Sequence, residues 1–95
     1  MGANLLVSYL IMAEEKLIGE VTHFFDHISV GIIKLTDGEV KIGDKVHFKG
    51  HATDFEQAIS SMQADHKNIP SAKKGEEFGT KTEQKVREGD QIFLM

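Results

Sequence analysis

The sequence predicts an all-β domain, either a sandwich or a barrel. From Lys16 onward, short apolar runs alternate with glycine and aspartate at intervals of about ten residues, as in small all-β folds. A segment that contains Gly43-Asp44 recurs around Gly89-Asp90, which indicates two similar turns in one domain. The chain has 95 residues, enough for one hydrophobic core and too few for two.

Two strands are predicted at the start of the domain. Residues 17–25 are rich in β-branched and aromatic side chains, and Asp26-His27 marks a turn after them. Residues 28–35 then carry apolar side chains on both faces, which indicates a strand that is covered on both sides. A second turn is predicted at Asp37-Gly38, because this pair suits the positive φ angles of tight hairpins.

Residues 45–49 alternate between polar and apolar side chains, which predicts a half-exposed strand. Val46 and Phe48 face inward in this interpretation, and both lysines and His47 face outward. The predicted core contains apolar residues from all of these strands and from later ones: Ile18, Val21, Val30, Ile32, Val46, Phe48, Ile59, Met62, Ile92 and Phe93.

The repeat relates residues 40–48 to residues 86–94 through the shared form V-(K/R)-x-G-D-x-(V/I). Glycine adopts a left-handed backbone conformation without strain, and aspartate bonds nearby backbone amides. Each Gly-Asp pair is therefore predicted to form a turn from which a strand starts.

Residues 53–65 fit two structures. Thr53 and Glu56 match a helix capping box, and Phe55, Ile59 and Met62 fall at helical spacing. The same residues fit a strand less well, so the local pattern alone favours a helix.

Composition and charge restrict the function. The absence of cysteine excludes a disulfide framework, a thiolate nucleophile and a cysteine-ligated metal site, and it suits a reducing compartment, so we predict a cytoplasmic protein. A net charge of -4 disfavours a general polyanion-binding surface, and we expect no DNA partner. Any basic patch must come from residues 66–95, where five acids face six basic residues.

The first residues are predicted to lie outside the domain. Residues 1–12 carry no charge and include an apolar run that is shorter than the roughly 20 residues a membrane span requires. No lysine or arginine precedes the run, as one would in a secretory signal. We predict an N-terminal extension over 1–12, disordered or produced by an early start, and a β-barrel domain over 13–95; an extra edge strand or a short helix is the alternative for the extension.

Six short motifs, taken in order, resemble the second domain of translational GTPases such as elongation factor Tu and the large initiation-factor GTPase. They cover residues 16–95 and consist of Ile18-Gly19-Glu20-Val21, Val30-Gly31-Ile32-Ile33, residues 38–46, Ile59 with Ser61-Met62, Ala72 with Gly75 and Gly79, and Val86 with Gly89-Asp90 and Ile92. The resemblance implies a six-stranded antiparallel β-barrel of the translation-protein type. It also implies a strand at residues 58–62, and for this reason we prefer a strand to the helix there.

The chain is similar as well to the C-terminal barrels of collagenase-like peptidase-family proteins, several of which act on RNA. It departs from the GTPases in the chemistry: a phosphate-binding loop is missing, since Asp44 precedes Lys45 after the nearest glycine-bounded stretch. We therefore expect no GTPase activity, no enzyme activity of another kind and no cofactor.

The five histidines include two pairs at a spacing of four residues, His23 with His27 and His47 with His51. On a strand this spacing separates the two imidazoles by about 13 Å, so we expect exposed histidines and no metal.

A polar loop over residues 65–75 supplies the candidate contact residues Lys67, Lys73 and Lys74, followed by Phe78. Lysines bind backbone phosphates, and an aromatic ring offers a face on which a base can stack. The translational resemblance implies contact with ribosomal RNA or transfer RNA. We therefore predict a stand-alone binding module in translation or RNA metabolism, and no membrane partner. The alternative is an accessory subunit that docks onto a collagenase-like peptidase-family protein and touches no RNA.

Overall fold

The computed structural model describes residues 15–95, and all regular structure in this part of the chain is β-strand, which confirms the predicted fold class. None of these residues forms a helix that is long and apolar enough to cross a membrane. The predicted extension over 1–12 lies outside the described residues. The strands are β1 (Lys16–Phe25), β2 (Val30–Leu35), β3 (Glu39–Lys41), β4 (Lys45–Lys49), β5 (Asp54–Ala58), β6 (Gln63–Ala64), β7 (Lys67–Asn68), β8 (Ser71–Lys73), β9 (Glu77–Lys81) and β10 (Gln91–Leu94).

The strands form one eight-stranded sheet and one two-stranded ribbon. The sheet has the order β5-β4-β10-β1-β2-β9-β6-β7, and the ribbon pairs β3 with β8. All of the pairings are antiparallel. The sheet ends at β5 and β7, which do not pair with each other, so closure into a six-stranded barrel is not confirmed.

Strand β1 is irregular, and its irregularities decide which residues face the core. The register shifts between Leu17 and Gly19 against β10, and again between Val21 and His23 against β2. Bulges of this kind change which side chains face the core. In β2 the buried face is Gly31, Ile33 and Leu35.

Seven of the ten predicted core residues are buried, namely Ile18, Val21, Val46, Phe48, Ile59, Met62 and Ile92. Val30, Ile32 and Phe93 are only half-buried, so their assignment to the core was wrong. Both faces of β2 are apolar, and the sequence pattern alone left the choice of inner face open.

The predicted Gly-Asp repeat is confirmed as a pair of equivalent turns. Gly43 and Gly89 have φ angles of 98° and 90°. The Asp44 carboxylate accepts a hydrogen bond from the Lys41 amide at 3.0 Å, and the Asp90 carboxylate accepts one from the Arg87 amide at 2.8 Å. Each glycine amide also donates to a carbonyl oxygen on another segment, that of Ile59 for Gly43 and that of Val21 for Gly89, both at 2.8 Å. The turns therefore join sheet segments that are distant in sequence.

A third turn of the same construction lies at Gly75-Glu76. Gly75 has a φ of 91°, and the Glu76 carboxylate accepts a hydrogen bond from the Lys73 amide at 2.8 Å. The Gly75 amide donates to the Leu35 carbonyl oxygen, and the Leu35 amide donates to the Glu76 carbonyl oxygen, each at 2.9 Å. Sequence comparison missed this copy because glutamate replaces the aspartate.

The helix suggested locally for residues 53–65 does not form, but the strand predicted over 58–62 is displaced. Strand β5 ends at Ala58, and residues 59–62 are extended without belonging to a ladder. They are held by single contacts: the Thr80 hydroxyl donates to the Ser61 carbonyl oxygen at 2.8 Å, and the Ile69 amide donates to the Met62 carbonyl oxygen at 2.9 Å. This crossing segment leads from the β4-β5 end of the sheet to the hairpin of β6 and β7.

Candidate docking groove

An apolar groove lies between the hairpin of β1 and β2 and the hairpin of β6 and β7. Its volume is about 390 Å³. Four apolar side chains line one wall, and Gly79 and three polar residues line the rest: Phe25, Ile28, Val30, Ile32, Gly79, Gln63, Asp65 and His66. Phe25 is 45% exposed and Ile28 57% exposed, which makes this the place where exposed apolar side chains adjoin one another. Contiguous exposed apolar surface indicates an interaction site more strongly than isolated apolar residues do.

The first wall is fixed by the hairpin of β1 and β2. Ser29 takes a φ of 54°, and its hydroxyl donates to the Thr82 carbonyl oxygen at 2.8 Å, while the Thr82 amide donates to the Ser29 carbonyl oxygen at 2.9 Å. The Phe25 ring packs edge-on against the His23 ring at a centroid distance of 4.5 Å. These contacts hold Phe25 and Ile28 at the surface, where they remain accessible.

The second wall is a two-residue hairpin turn. Asp65 and His66 connect β6 to β7 with φ angles of 53° and 65°. Positive φ at both central residues is the geometry of a type I′ turn, which glycine and asparagine adopt more readily. Because β6 pairs with β9 at Gln63 and Gly79 alone, the hairpin tip diverges from β9 and leaves the groove open.

Gly79 forms the floor of the groove. It pairs with Ile32 in the ladder of β2 and β9. A Cβ atom on Gly79 would lie 3.3 Å from the Val30 side chain and 3.4 Å from that of Ile32. The missing side chain therefore leaves Val30 and Ile32 uncovered on the outer face of the sheet.

The charged side chains at the groove are acidic. Asp65 lines it, and Glu77 lines the adjoining depression that shares Ile32, Gln63, Asp65 and Gly79. Lys81 lies opposite Val30 in the ladder but is not one of the lining residues. The groove combines an apolar wall with an acidic rim.

The structure separates the lysines that the sequence grouped together. Lys67 begins β7 at the edge of the eight-stranded sheet, Lys73 ends β8 in the ribbon, and Lys74 follows in a turn; all three are exposed. Phe78 is 2% exposed and faces the core from β9, so the prediction that its ring offers a stacking face was wrong. Its neighbours Glu77 and Gly79 face the other way, because strand side chains alternate.

A second cluster surrounds His47 on the outer face of β4. The imidazole is 14% exposed and contacts a carboxylate at each ring nitrogen, Glu15 at 2.8 Å from Nδ1 and Asp54 at 2.5 Å from Nε2. A neutral imidazole has one N–H and can donate to only one of them, whereas the imidazolium donates to both. The hydrogen bond to Asp54, followed by that to Glu15, raises the pKa of His47, and the hydrogen bond to His47 lowers the pKa of Asp54.

The His47 cluster should make stability depend on pH. Because the folded pKa of His47 is raised, its contribution is complete below the ordinary value of about 6.5 and is lost as the pH rises through the folded value. The lowered pKa of Asp54 gives a contribution that is present above about 3.9 and lost as the pH falls through the folded value. We expect the Tm difference between wild type and His47→Gln to be largest between these limits and to shrink towards pH 9. His51→Gln, at an exposed histidine nearby, is the control; a His47→Gln difference that is constant from pH 5 to pH 9 would contradict this assignment.

The predicted histidine pairs do not come together as metal sites. His23 contacts Glu88 at 3.3 Å, and His47 uses both ring nitrogens for carboxylates. Within residues 15–95 no three histidine, aspartate or glutamate side chains gather as metal ligands.

No protein-family model matches the chain. The chain is 42% identical over 79 residues to an uncharacterized protease of Methanocaldococcus jannaschii, and the match covers 82% of the chain. It spans only about a fifth of the length of that relative, 19%.

Two crystal structures of the C-terminal domain of a putative U32 peptidase of Geobacillus thermoleovorans share the fold. One matches with a TM-score of 0.78 over 84% of the chain and 92% of that domain, at 14% identity. The other, a selenomethionine variant, matches with a TM-score of 0.76 over 81% and 96%, at 16% identity. The likeness to a collagenase-like peptidase-family domain is thus confirmed for the fold, and these comparisons give no support to a role in translation.

Proposed function

We propose that this chain is a non-catalytic docking module that binds the catalytic part of a collagenase-like, U32-type peptidase-family protein. The observation that carries the proposal is the 42% identity of the chain to a 79-residue portion of a much longer protease-like protein. The shared fold with a U32 C-terminal domain supports it independently. A small domain joined to a larger catalytic part is expected to pack against it through a specific interface.

The histidine chemistry supports a non-catalytic role. A hydrolytic nucleophile needs a base within hydrogen-bond distance of its hydroxyl. The histidine side chains that have hydrogen-bond partners among residues 15–95, His23 and His47, contact carboxylates and no serine or threonine hydroxyl.

The test is binding between purified components. The Methanocaldococcus jannaschii relative is prepared without the segment that matches this chain, and the chain is added in trans during isothermal titration calorimetry. We expect a 1:1 complex, and no complex with the intact relative, in which its own copy of the module already fills the site. A folded truncated relative, verified by circular dichroism, that fails to bind the chain would contradict the proposal.

Contact of RNA with Lys67, Lys73 and Lys74 stays a prediction with its own test. We expect the triple glutamine variant to bind the peptidase-family protein as wild type does and to unfold within about 0.5 kcal/mol per substitution of the wild-type value, because all three lysines are exposed. Low-salt RNA titrations in which wild type binds and the triple variant does not would instead favour the RNA-binding module, with a salt slope that falls by about one unit per lost phosphate contact.

A further inference from the structure

We propose that the groove between the two hairpins is the docking surface, and that its occupant is an apolar side chain with a lysine or arginine next to it, on the catalytic part of the peptidase-family protein. This inference rests on the proposed function and adds the surface and the chemistry of the contact.

The apolar wall supplies the centre of such an interface. Phe25 and Ile28 are exposed from one hairpin, and Val30 and Ile32 continue the same face along β2. Binding energy at protein interfaces concentrates in a few central residues that fill pockets and lose water. A groove of about 390 Å³ accommodates one or two side chains, with the surrounding outer face of the sheet completing the contact area.

The rim determines the charge of the occupant. Asp65 and Glu77 are the charged residues that line the groove and its adjoining depression. Complementary charge favours a basic residue beside the apolar one. A second copy of this chain fits poorly, because a two-fold interface places the same patch on both partners and would bring Asp65 towards another acidic rim, in a chain of net charge -4.

The backbone around the groove is fixed before binding. Ser29, Asp65 and His66 take left-handed φ angles, and Ser29 is bonded to Thr82. Non-glycine residues in this region carry strain of about 1 kcal/mol or more each and persist where the surroundings impose them. Such rigid walls lower the ordering cost of binding.

The matched test compares two isoleucines that are both half-exposed and both lie in turns. Ile28 is in the groove, whereas Ile42, 47% exposed, is in the Gly43 turn. We expect Ile28→Asp to weaken binding of the truncated relative by about 30-fold or more, and Ile42→Asp to leave it within about twofold of wild type. Asp65→Asn keeps a residue that tolerates the left-handed turn and should weaken binding several-fold while reducing its salt dependence.

The outcomes separate this inference from the proposed function. If wild type binds and Ile28→Asp binds equally well, the groove is not the docking surface and the proposed function stands. If wild type does not bind the folded truncated relative, both are overturned. If light scattering shows a wild-type dimer that Ile28→Asp dissociates, the occupant is a second copy and the inference is wrong. Thermal unfolding of each variant verifies its fold, and Ile28 is exposed and outside the core.

Discussion

Gly19→Ala should lower the free energy of unfolding by about 3 kcal/mol, at the upper end of the usual cost of overpacking. Gly19 is buried in β1 opposite Leu35, and a Cβ atom there would overlap the carbonyl oxygen of Lys34 and lie 3.2 Å from the Leu35 Cα atom. Backbone atoms inside a ladder cannot move aside as a side chain does. In a domain of this size the change corresponds to a Tm lower by roughly 12 to 24 °C.

Gly79→Ala is the matched control for Gly19→Ala. Its Cβ atom would meet only the side-chain methyl groups of Val30 and Ile32, at 3.3 and 3.4 Å, on the outer face of the sheet. We expect a loss of about 1 kcal/mol or less. Equal Tm values for the two variants in thermal unfolding would contradict the close backbone approach of β1 and β2 at Gly19.

Asp90→Ala should lower the free energy of unfolding by about 2 to 3 kcal/mol. Its carboxylate is buried, accepts the Arg87 amide hydrogen bond at 2.8 Å and packs against Gly50, where a Cβ atom would overlap it. Removing the carboxylate deletes a turn-stabilising bond and leaves an amide without its partner in a partly buried place. It also opens a cavity against Gly50.

Asp44→Ala provides the comparison within the same molecule, because Asp44 accepts the equivalent hydrogen bond from Lys41 at an exposed position. Water can replace the lost acceptor there, and we expect a cost of about 1 kcal/mol or less. Urea unfolding of both variants measures the difference. An Asp44→Ala variant as unstable as Asp90→Ala would show that burial does not set the contribution of these turns.

The turns were predictable from the sequence because their chemistry is local. A glycine followed by aspartate encodes both the left-handed φ and the carboxylate that caps the turn, so Gly43-Asp44 and Gly89-Asp90 were found directly. The strand over Lys45–Lys49 was equally accessible, since its alternation has one interpretation. The turn at Gly75-Glu76 obeys the same chemistry with a longer side chain, and recognising it would have indicated that a strand with Phe78 inward follows.

The remaining features depend on contacts between distant segments. Which face of β2 is buried follows from the bulges in β1, and no local pattern within β2 specifies them. The groove arises from β6 meeting β9 at one residue pair and from a glycine at position 79. Its sequence signal was the apolar outer face of β2, which was assigned to the core because a strand covered on both sides was the simpler interpretation.

Amide chemical shifts of the ¹⁵N-labelled chain, recorded while the truncated Methanocaldococcus jannaschii relative is added, test the central claim most directly. Docking through the groove predicts changes concentrated in two stretches, Phe25 to Ile32 and Gln63 to Lys67, with the Gly43 turn and the β3-β8 ribbon unchanged. Changes centred on Lys73 and Lys74 with the two hairpins unaffected, or no changes at all with a folded partner, would contradict it.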